Sequence, residues 1–174
     1  MPNYAAMYQK NPHHLKKIRE SIKDLSGILK PEDTLLDAGC CEGHLYDALN
    51  HPGKYTGIDI VDYHIAEAKK RHPDVDFRVG NILELTGKWE IVWCARVLMH
   101  LPDYEGNVRK LLGLANKKLI VSVPIGMESL ETEESKFGTV EFRSYSAKRI
   151  GETNPEQIIK HPQYSTVIYD PRLS

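Results

Sequence analysis

The sequence is poor in the features that mark secreted, fibrous and membrane-spanning proteins. Among 174 residues it has 3 cysteines, an odd number without the Cys-x-x-Cys spacing of many metal sites, which excludes a disulfide scaffold. No apolar run approaches the roughly 18 residues of a membrane helix, and the start lacks the charged-then-apolar order of a signal peptide. We therefore expect a cytoplasmic protein with no membrane partner.

An excess of charge of one sign is also missing. The chain has 23 basic and 24 acidic residues, which give a formal net charge of −1. A protein that binds nucleic acid unaided usually carries a basic excess, so a nucleic-acid partner is not expected. Hydrophobic residues make up 41% of a chain that is about 1.2 usual domain lengths, which predicts one domain with its own core.

Apolar patterning predicts helices and strands that alternate along the chain. An amphipathic helix begins near Asn11 and extends to about residue 28, and further helices begin near residues 42, 65 and 104. Strands are predicted over 34–36, 55–60, 75–79, 89–95 and 119–123. This alternation is typical of an α/β fold with a doubly wound, mostly parallel, Rossmann-like sheet and helices on both faces.

The C-terminal part of the chain departs from this alternation. Residues 126–138 are polar and acidic and are predicted to form a loop, and residues 146–160 a helix interrupted at Asn154-Pro155. A final strand is predicted over 165–169. The sheet is therefore expected to be shortened at its C-terminal end, with an edge that a second copy would cover in a homodimer.

One stretch combines a strand, a glycine turn, a helix and a second strand that ends in an acid. It reads LLDAGCCEG from Leu35 to Gly43, and Asp59 follows Asp37 by 22 residues. Gly39 allows a tight turn and a close approach of ligand to backbone. Asp59 can accept hydrogen bonds from both hydroxyls of a ribose. Such a half-sheet is typical of nucleoside-binding proteins, whose ligands lie beyond the carboxyl ends of the strands.

The same stretch disfavours a nucleotide that carries phosphates. A dinucleotide site requires G-x-G-x-x-G, but from Gly39 the second and third glycine positions hold Cys41 and His44. Glu42 would place a carboxylate near incoming phosphates, and the sequence has no G-x-x-x-x-G-K-[ST] phosphate loop. These departures favour S-adenosylmethionine, a cofactor that contains adenosine but no phosphate.

On these residues the chain resembles the class I S-adenosylmethionine-dependent methyltransferases of the small-molecule branch, over roughly residues 30–125. The family's Asp-x-Gly-x-x-x-Gly motif appears as 37–43, its Gly-Asp after the third strand as 80–82, and its fourth strand with the following turn as 90–103. The resemblance implies S-adenosylmethionine as the cofactor and no metal. It also implies cofactor contacts at Asp37, Gly39, Cys40, Gly43, Asp59, Ile60, Asn81, Ile82, Ala95, Arg96 and Tyr8.

Two positions depart from the family pattern. Cys41 stands in place of the usual middle glycine, and this small side chain is expected to be tolerated. Asn81 stands in place of the common aspartate, but its carbonyl can still accept a hydrogen bond from the adenine amino group.

Extended over the whole chain, the resemblance predicts one domain in three parts. A helical cover is expected over 1–30, a cofactor-binding core over 31–125, and acceptor-side elements over 126–174.

The resemblance also suggests roles in catalysis. Methyl transfer is an in-line displacement in which orientation supplies much of the rate, and a general base is needed only for an acceptor that keeps its proton. His100 follows the predicted fourth strand and is the candidate catalytic base. Arg96 is a candidate partner of the methionine carboxylate, and Tyr8 a candidate cover of the methionyl end.

The absence of several motifs restricts the class of molecule that could accept the methyl group. After the fourth strand the sequence reads Cys94-Ala95-Arg96-Val97, not the Asn/Asp-Pro-Pro-aromatic motif of enzymes that methylate nucleic-acid bases. The acidic metal cluster of catechol-type enzymes and the glutamate pair of protein-arginine enzymes are also absent. We therefore expect a small-molecule acceptor, such as a sugar, a lipid-derived compound or a natural product, methylated on a hydroxyl or amine.

Some alternatives remain open at this point. Arg143 or Tyr145 is a candidate acceptor contact, and the acidic segment 128–134 would favour a cationic acceptor. Instead of an enzyme that methylates small molecules, the chain could be a module that binds the cofactor but has lost catalytic turnover. It could also be an RNA or protein methyltransferase that requires a partner.

Overall fold

The computed structural model describes residues 22–23, 25, 27–49, 53–135, 138–162 and 164–173. Tyr8 and most of the predicted N-terminal helix lie outside the described residues. Ile22, Lys23 and Leu25 are helical, and Leu25 is fully buried, which agrees with the end of that helix.

The described residues form strands and helices in alternation as far as β5, as the patterning predicts. The strands are β1 (Leu35–Ala38), β2 (Tyr55–Asp59), β3 (Asp76–Val79), β4 (Trp89–Ala95), β5 (Ala115–Val123), β6 (Ser129–Ser135), β7 (Gly138–Ser144), β8 (Gln157–Lys160) and β9 (Ser165–Tyr169). The α-helices are α1 (His44–Ala48), α2 (Asp62–Arg71), α3 (Tyr104–Leu112) and α4 (Ala147–Gly151), and 3₁₀ turns span Ile82–Glu84 and Leu98–His100. None of these helices is long and apolar enough to cross a membrane.

Seven of the strands form one sheet in the order β3-β2-β1-β4-β5-β9-β8. The first five strands in this order are parallel, while β9 runs antiparallel to both β5 and β8. The chain moves outward from β1 to β2 and β3, and then returns to β4 on the other side of β1. The order of the strands therefore reverses between β1 and β4, where a doubly wound sheet opens its ligand crevice.

The hydrophobic core lies on both faces of this sheet. Leu36 and Val92 belong to a buried cluster that includes Tyr104 and Val108 of α3. On the other face, the cluster around Trp93 includes residues of α1 and α2. Because successive side chains of a strand point to opposite faces, β1 and β4 contribute to both clusters and bind the two layers together. The predicted doubly wound fold is confirmed.

The prediction of a loop over 126–138 is wrong. This region contains β6, which pairs with β7 in an antiparallel hairpin from Ser129↔Ser144 to Ser135↔Gly138. The hairpin packs against the 98–100 turn, and that long-range contact cannot be read from an acidic stretch of sequence.

The prediction of a helix over 146–160 is correct only for its start. Ser146 caps α4 by accepting a hydrogen bond from the Arg149 N–H, and the helix ends at Gly151. Asn154 then adopts a left-handed φ of 54° before Pro155, and the chain continues as strand β8.

The C-terminal end of the fold is shortened in the lengths of its helix and strands, and not in the number of strands of the sheet. The helix α4 has 5 residues and β8 has 4, yet the sheet has seven strands because β8 occupies its edge. The homodimer was inferred from a missing strand, so it stays a prediction with less support.

We expect Gly57→Ala to reduce the free energy of unfolding by about 1–3 kcal/mol, as overpacking of a core does. A Cβ at Gly57 would lie 2.5 Å from Cδ1 of Phe77, a buried ring that also contacts Tyr55. Gly151→Ala is the control, because a Cβ there meets nothing within 4 Å. Urea denaturation of both variants measures the difference, and equal stabilities would contradict this account of the core.

Candidate functional site

A cleft opens beyond the carboxyl ends of β1, β2 and β4, at the point where the strand order reverses. The space within it, with the open mouth included, is about 980 Å³. Its walls come from the turn after β1, the start of α2, the turn after β3, and the turn that follows β4.

The turn after β1 depends on two glycines in left-handed conformation. Gly39 has a φ of 90°, and a Cβ added there would lie 2.2 Å from Cγ2 of Val97. Gly43 has a φ of 77°, and its added Cβ would lie 2.7 Å from the ring of Phe77. Both positions therefore exclude a side chain on conformational and on steric grounds. Gly39 lines the cleft, whereas Gly43 is not among the lining residues.

Asp59 at the end of β2 joins two walls of the cleft. One carboxylate oxygen accepts a hydrogen bond from the Cys41 N–H and the other from the Val61 N–H, each at 2.9 Å. The side chain lines the cleft but is only 8% exposed. Because each carboxylate oxygen can accept more than one hydrogen bond, both remain able to accept from a ligand hydroxyl.

Asp37 at the end of β1 lies deeper in the cleft. Its carboxyl group accepts a hydrogen bond of 2.5 Å from the Tyr55 hydroxyl. Burial, assisted by the negative charge of Asp59 and opposed by the bond from Tyr55, raises the pKa of Asp37 to about 7. The floor of the cleft therefore gains negative charge as the pH rises toward neutrality.

An apolar wall suited to a flat ring lies beside these acids. Ile60 follows Asp59 and is 45% exposed, Ile82 follows β3, and both line the cleft. Asn81 also lines the cleft, but its side chain caps the 82–84 turn by accepting from the Leu83 N–H and donating to Glu84. The structure thus gives Asn81 a structural role that the sequence did not suggest. Its oxygen retains a second acceptor position.

The turn after β4 forms the opposite wall. Ala95 and Arg96 line the cleft, and the Arg96 N–H donates to the Ser122 carbonyl at 2.8 Å. Arg96 has a φ of 61°, an unusual conformation for a residue with a long side chain. Such strained positions cluster at functional sites, and the role of Arg96 in binding stays a prediction.

His100 lies further along this wall, at the end of the 98–100 turn. Its Nδ1 is 2.8 Å from the Glu141 carbonyl oxygen of β7, which can only accept. In the neutral ring, Nδ1 therefore carries the proton and Nε2 keeps its lone pair. Burial, together with the positive charges of Arg96 and Arg143, lowers the pKa of His100 despite the opposing bond to Glu141. The ring is thus prepared to accept a proton at Nε2.

The cleft brings most of the predicted site residues together. Those that line it are Asp37, Gly39, Cys40, Asp59, Ile60, Asn81, Ile82, Ala95, Arg96 and His100. Tyr8 lies outside the described residues. The Cys40 thiol is buried, and burial raises its pKa well above the ordinary value, so Cys40 contributes packing and not a reactive thiolate.

Sequence reasoning missed two histidines of the cleft. His44 and the buried His64 both line it, on either side of Glu42, whose carboxylate lies 3.9 Å from Nε2 of His44 and 3.7 Å from Nδ1 of His64. His64 lies on the buried face of α2 with Ile65 and Ala68. The sequence pattern alone does not distinguish a histidine that lines a cleft from one that packs in the core. Among the described residues, no group of three metal-ligating side chains lies together.

The residues of the cleft fit S-adenosylmethionine better than a diphosphate. Asp59 would hold the ribose, the wall of Ile60 and Ile82 would pack on the adenine, and Asp37 would face the cationic methionyl part. Asp59, and Asp37 in its ionised form, would repel phosphates at close range, whereas Glu42 is not among the lining residues. The turn at Gly39 admits no side chain, which keeps the backbone open to the ligand.

Comparisons with known proteins agree with this geometry. A family model for a methyltransferase domain matches residues 29–163. The chain is 32% identical to the ubiquinone biosynthesis O-methyltransferase of Bordetella parapertussis over 114 residues, which cover 60% of this chain and 45% of that protein. The matches thus span less than half the length of the first curated relatives.

Solved structures share the fold. An S-adenosylmethionine-dependent methyltransferase from Clostridium acetobutylicum aligns with a TM-score of 0.72 and 13% identity, over 96% of this chain and 97% of that chain. Magnesium protoporphyrin IX methyltransferase from Synechocystis, solved with bound S-adenosylmethionine, aligns with a TM-score of 0.64 and 20% identity, over 89% and 77%.

The strand order and the cleft define an α/β protein whose cleft lies at the switch point of a doubly wound sheet. Since the family match covers residues 29–163, the chain belongs to the methyltransferase-domain family. Its fold is that of the solved S-adenosylmethionine-dependent methyltransferases to which it aligns.

We expect Asp59→Ala to weaken the binding of S-adenosylhomocysteine at least tenfold, because the variant loses the ribose acceptor and the brace between Cys41 and Val61. Isothermal titration calorimetry measures the affinity, and circular dichroism checks the fold. Asp74→Ala, at an exposed turn position, is the matched control and should bind as the wild type does. Unchanged affinity in Asp59→Ala would remove Asp59 from the ribose role.

We also expect Asp37 to make stability depend on pH. Its raised pKa means that the folded state keeps a proton that the unfolded chain, with an ordinary pKa near 3.8, releases. The resulting stability is full below about pH 4 and is lost as the pH rises through 7, at up to about 1.4 kcal/mol per pH unit.

Asp37→Asn cannot ionise and should remove this dependence. Denaturant unfolding of wild type and variant at intervals from pH 4 to pH 8 measures the difference in their free energies of unfolding. That difference should change in favour of the variant as the pH rises. Parallel curves over this range would show that Asp37 titrates normally.

Proposed function

We propose that this protein transfers a methyl group from S-adenosylmethionine to a hydroxyl of a small-molecule acceptor, with His100 as the general base. The observation that supports it most directly is the bond between Nδ1 of His100 and the Glu141 carbonyl oxygen. This bond leaves the lone pair of Nε2 as the proton acceptor of a side chain that lines the cleft.

The β6–β7 hairpin holds the base in place. Besides the carbonyl of Glu141, the Phe142 ring packs edge-on against His100, with ring centroids 5.0 Å apart. The Tyr145 hydroxyl donates to the Leu98 carbonyl at 2.9 Å and anchors the other end of the turn. A general base whose ring is held from two sides has little freedom to lose as the acceptor binds.

The proposed reaction needs only a proton acceptor and good alignment from the chain. When bound, S-adenosylmethionine supplies an electrophilic methyl group on its sulfonium. The acceptor oxygen forms the new C–O bond as the C–S bond breaks, and its proton passes to Nε2 of His100. The lowered pKa of His100 keeps the ring neutral, and so able to accept, at physiological pH.

The relatives favour oxygen over nitrogen as the atom that receives the methyl group. The curated relative from Bordetella parapertussis is named an O-methyltransferase. A cytoplasmic location is part of the proposal, because all three cysteines are free, as expected for a reducing compartment. A cofactor-binding module without turnover and a partner-dependent RNA or protein methyltransferase are the alternatives, and activity measurements separate them.

We expect His100→Gln to reduce kcat at least 100-fold without changing the affinity for S-adenosylhomocysteine, since the variant keeps a polar side chain but loses the base. Transfer of a radiolabelled methyl group to a panel of phenolic and alcoholic acceptors measures the rate. In the wild type, kcat should rise with pH through a pKa below the ordinary histidine value of about 6.5 and then level off.

The control variant is His161→Gln, since His161 stacks on Tyr164 and is not among the residues that line the cleft. It should keep the wild-type kcat and pH profile. Cofactor binding without methyl transfer to any acceptor would favour the module. Equal pH profiles for wild type and His100→Gln would remove His100 from the role of base.

A further inference from the structure

Tyr145 follows β7 and is a buried side chain beside the turn that carries His100. We propose that Tyr145 is a positioning residue, whose hydroxyl fixes the 98–100 turn and thereby keeps the imidazole of His100 in the tautomer that accepts a proton at Nε2. This inference rests on the proposed function, since it concerns the same base.

The structure does not bring Tyr145 to the acceptor. Sequence reasoning offered Arg143 or Tyr145 as an acceptor contact, but neither is among the described residues that line the cleft. Tyr145 is only 3% exposed. Arg143 pairs with the Glu141 carboxylate, on the face of β7 opposite the Phe142 ring that contacts His100. An effect of Tyr145 on the reaction would therefore pass through the residues that it contacts.

The hydroxyl of Tyr145 donates to the carbonyl group that closes the turn. The Leu98 carbonyl oxygen accepts from this hydroxyl at 2.9 Å and from the Leu101 N–H at 3.1 Å. His100 lies between the two residues that this carbonyl joins, Leu98 and Leu101. A hydroxyl that fixes the Leu98 carbonyl therefore also fixes the backbone from which the imidazole extends.

The surroundings of Tyr145 keep its hydroxyl in one place. Its ring packs on the Tyr104 ring of α3, with centroids 4.5 Å apart, and the Arg149 guanidinium of α4 lies 5.7 Å from its centroid. Its backbone N–H donates to the Pro124 carbonyl at 3.2 Å, and its carbonyl accepts from the Gly126 N–H at 3.0 Å. Packing and hydrogen bonds of this kind hold a supporting side chain in a single orientation.

The turn and the ring of His100 are thus attached to one short segment, 141–145. The Glu141 carbonyl accepts from Nδ1 of the ring at 2.8 Å, while Tyr145 holds the backbone. If the Leu98 carbonyl shifts, the ring moves relative to the Glu141 carbonyl and the bond that keeps the proton on Nδ1 weakens. The neutral ring can then carry its proton on Nε2, where it no longer accepts one from the acceptor.

The experiment uses the whole chain with Tyr145→Phe, which removes the hydroxyl and keeps the ring. Nitrogen NMR of the imidazoles, with the chain saturated with S-adenosylhomocysteine, identifies the tautomer of His100 at a pH where the ring is neutral. We expect the Nδ1–H form in the wild type and a mixture with the Nε2–H form in the variant. With a phenolic acceptor, kcat should fall about tenfold or more, because small misplacements of a reacting group cost much of the rate. The KM for the acceptor and the affinity for S-adenosylhomocysteine should stay as in the wild type.

The matched control is Tyr104→Phe, the same substitution in the same buried cluster. The Tyr104 hydroxyl bonds the Tyr169 hydroxyl at 2.9 Å instead of the turn, so this variant loses a comparable buried hydrogen bond. It should keep the wild-type tautomer and kcat.

An unchanged tautomer in Tyr145→Phe, equal losses of kcat in the two variants, or failure of Tyr145→Phe to fold would overturn the proposal. A raised KM with unchanged kcat would do the same and would make Tyr145 an acceptor contact. Wild-type kcat in His100→Gln would instead overturn the proposed function, while the tautomer would still decide whether Tyr145 positions the ring.

Discussion

The shape of the cleft depends on the carboxylate of Asp59. Its two oxygens accept hydrogen bonds from the N–H groups of Cys41 and Val61, which belong to the connections that follow two adjacent parallel strands. One side chain therefore fixes the turn after β1 against the start of α2. A carboxylate that accepts N–H bonds from two directions is held in one orientation. The same group is then ready to receive ligand hydroxyls.

Charged side chains of opposite sign divide the cleft into two halves. One half holds Asp37 and Asp59, two acidic side chains that suit a cationic ligand without phosphates. The other half holds Arg96 and His100. In the proposed reaction the two ligands would meet between these halves, where alignment supplies much of the rate.

Sequence reasoning predicted the part of the site that is built from local pattern. Residues from Asp37 to Gly43 and at Asp59 lie in one strand-turn-helix-strand unit, where spacing alone determines which groups meet at the edge of the sheet. It also placed Arg96 and His100 correctly at the end of β4, since strand ends of a parallel sheet share an edge.

The rest depended on contacts between distant segments. The β6–β7 hairpin and the hydrogen bond that Nδ1 of His100 donates to the Glu141 carbonyl depend on a segment about 40 residues beyond the turn that it covers. The sequence of β6 is polar and rich in Glu, which is typical of a loop. The strand forms because it pairs with β7, which packs against the 98–100 turn. Strand β8 was missed for a similar reason, because an edge strand needs only one apolar face and has four residues here.

The central claim is that the cleft accepts an adenosyl group without phosphates, and competitive calorimetry tests it most directly. The whole chain is titrated in parallel with S-adenosylhomocysteine, NAD and ATP under identical conditions. The account predicts saturable binding of S-adenosylhomocysteine and no measurable binding of the two phosphate-bearing nucleotides. Binding of NAD or ATP as tight as that of S-adenosylhomocysteine, or no binding of S-adenosylhomocysteine, would contradict it.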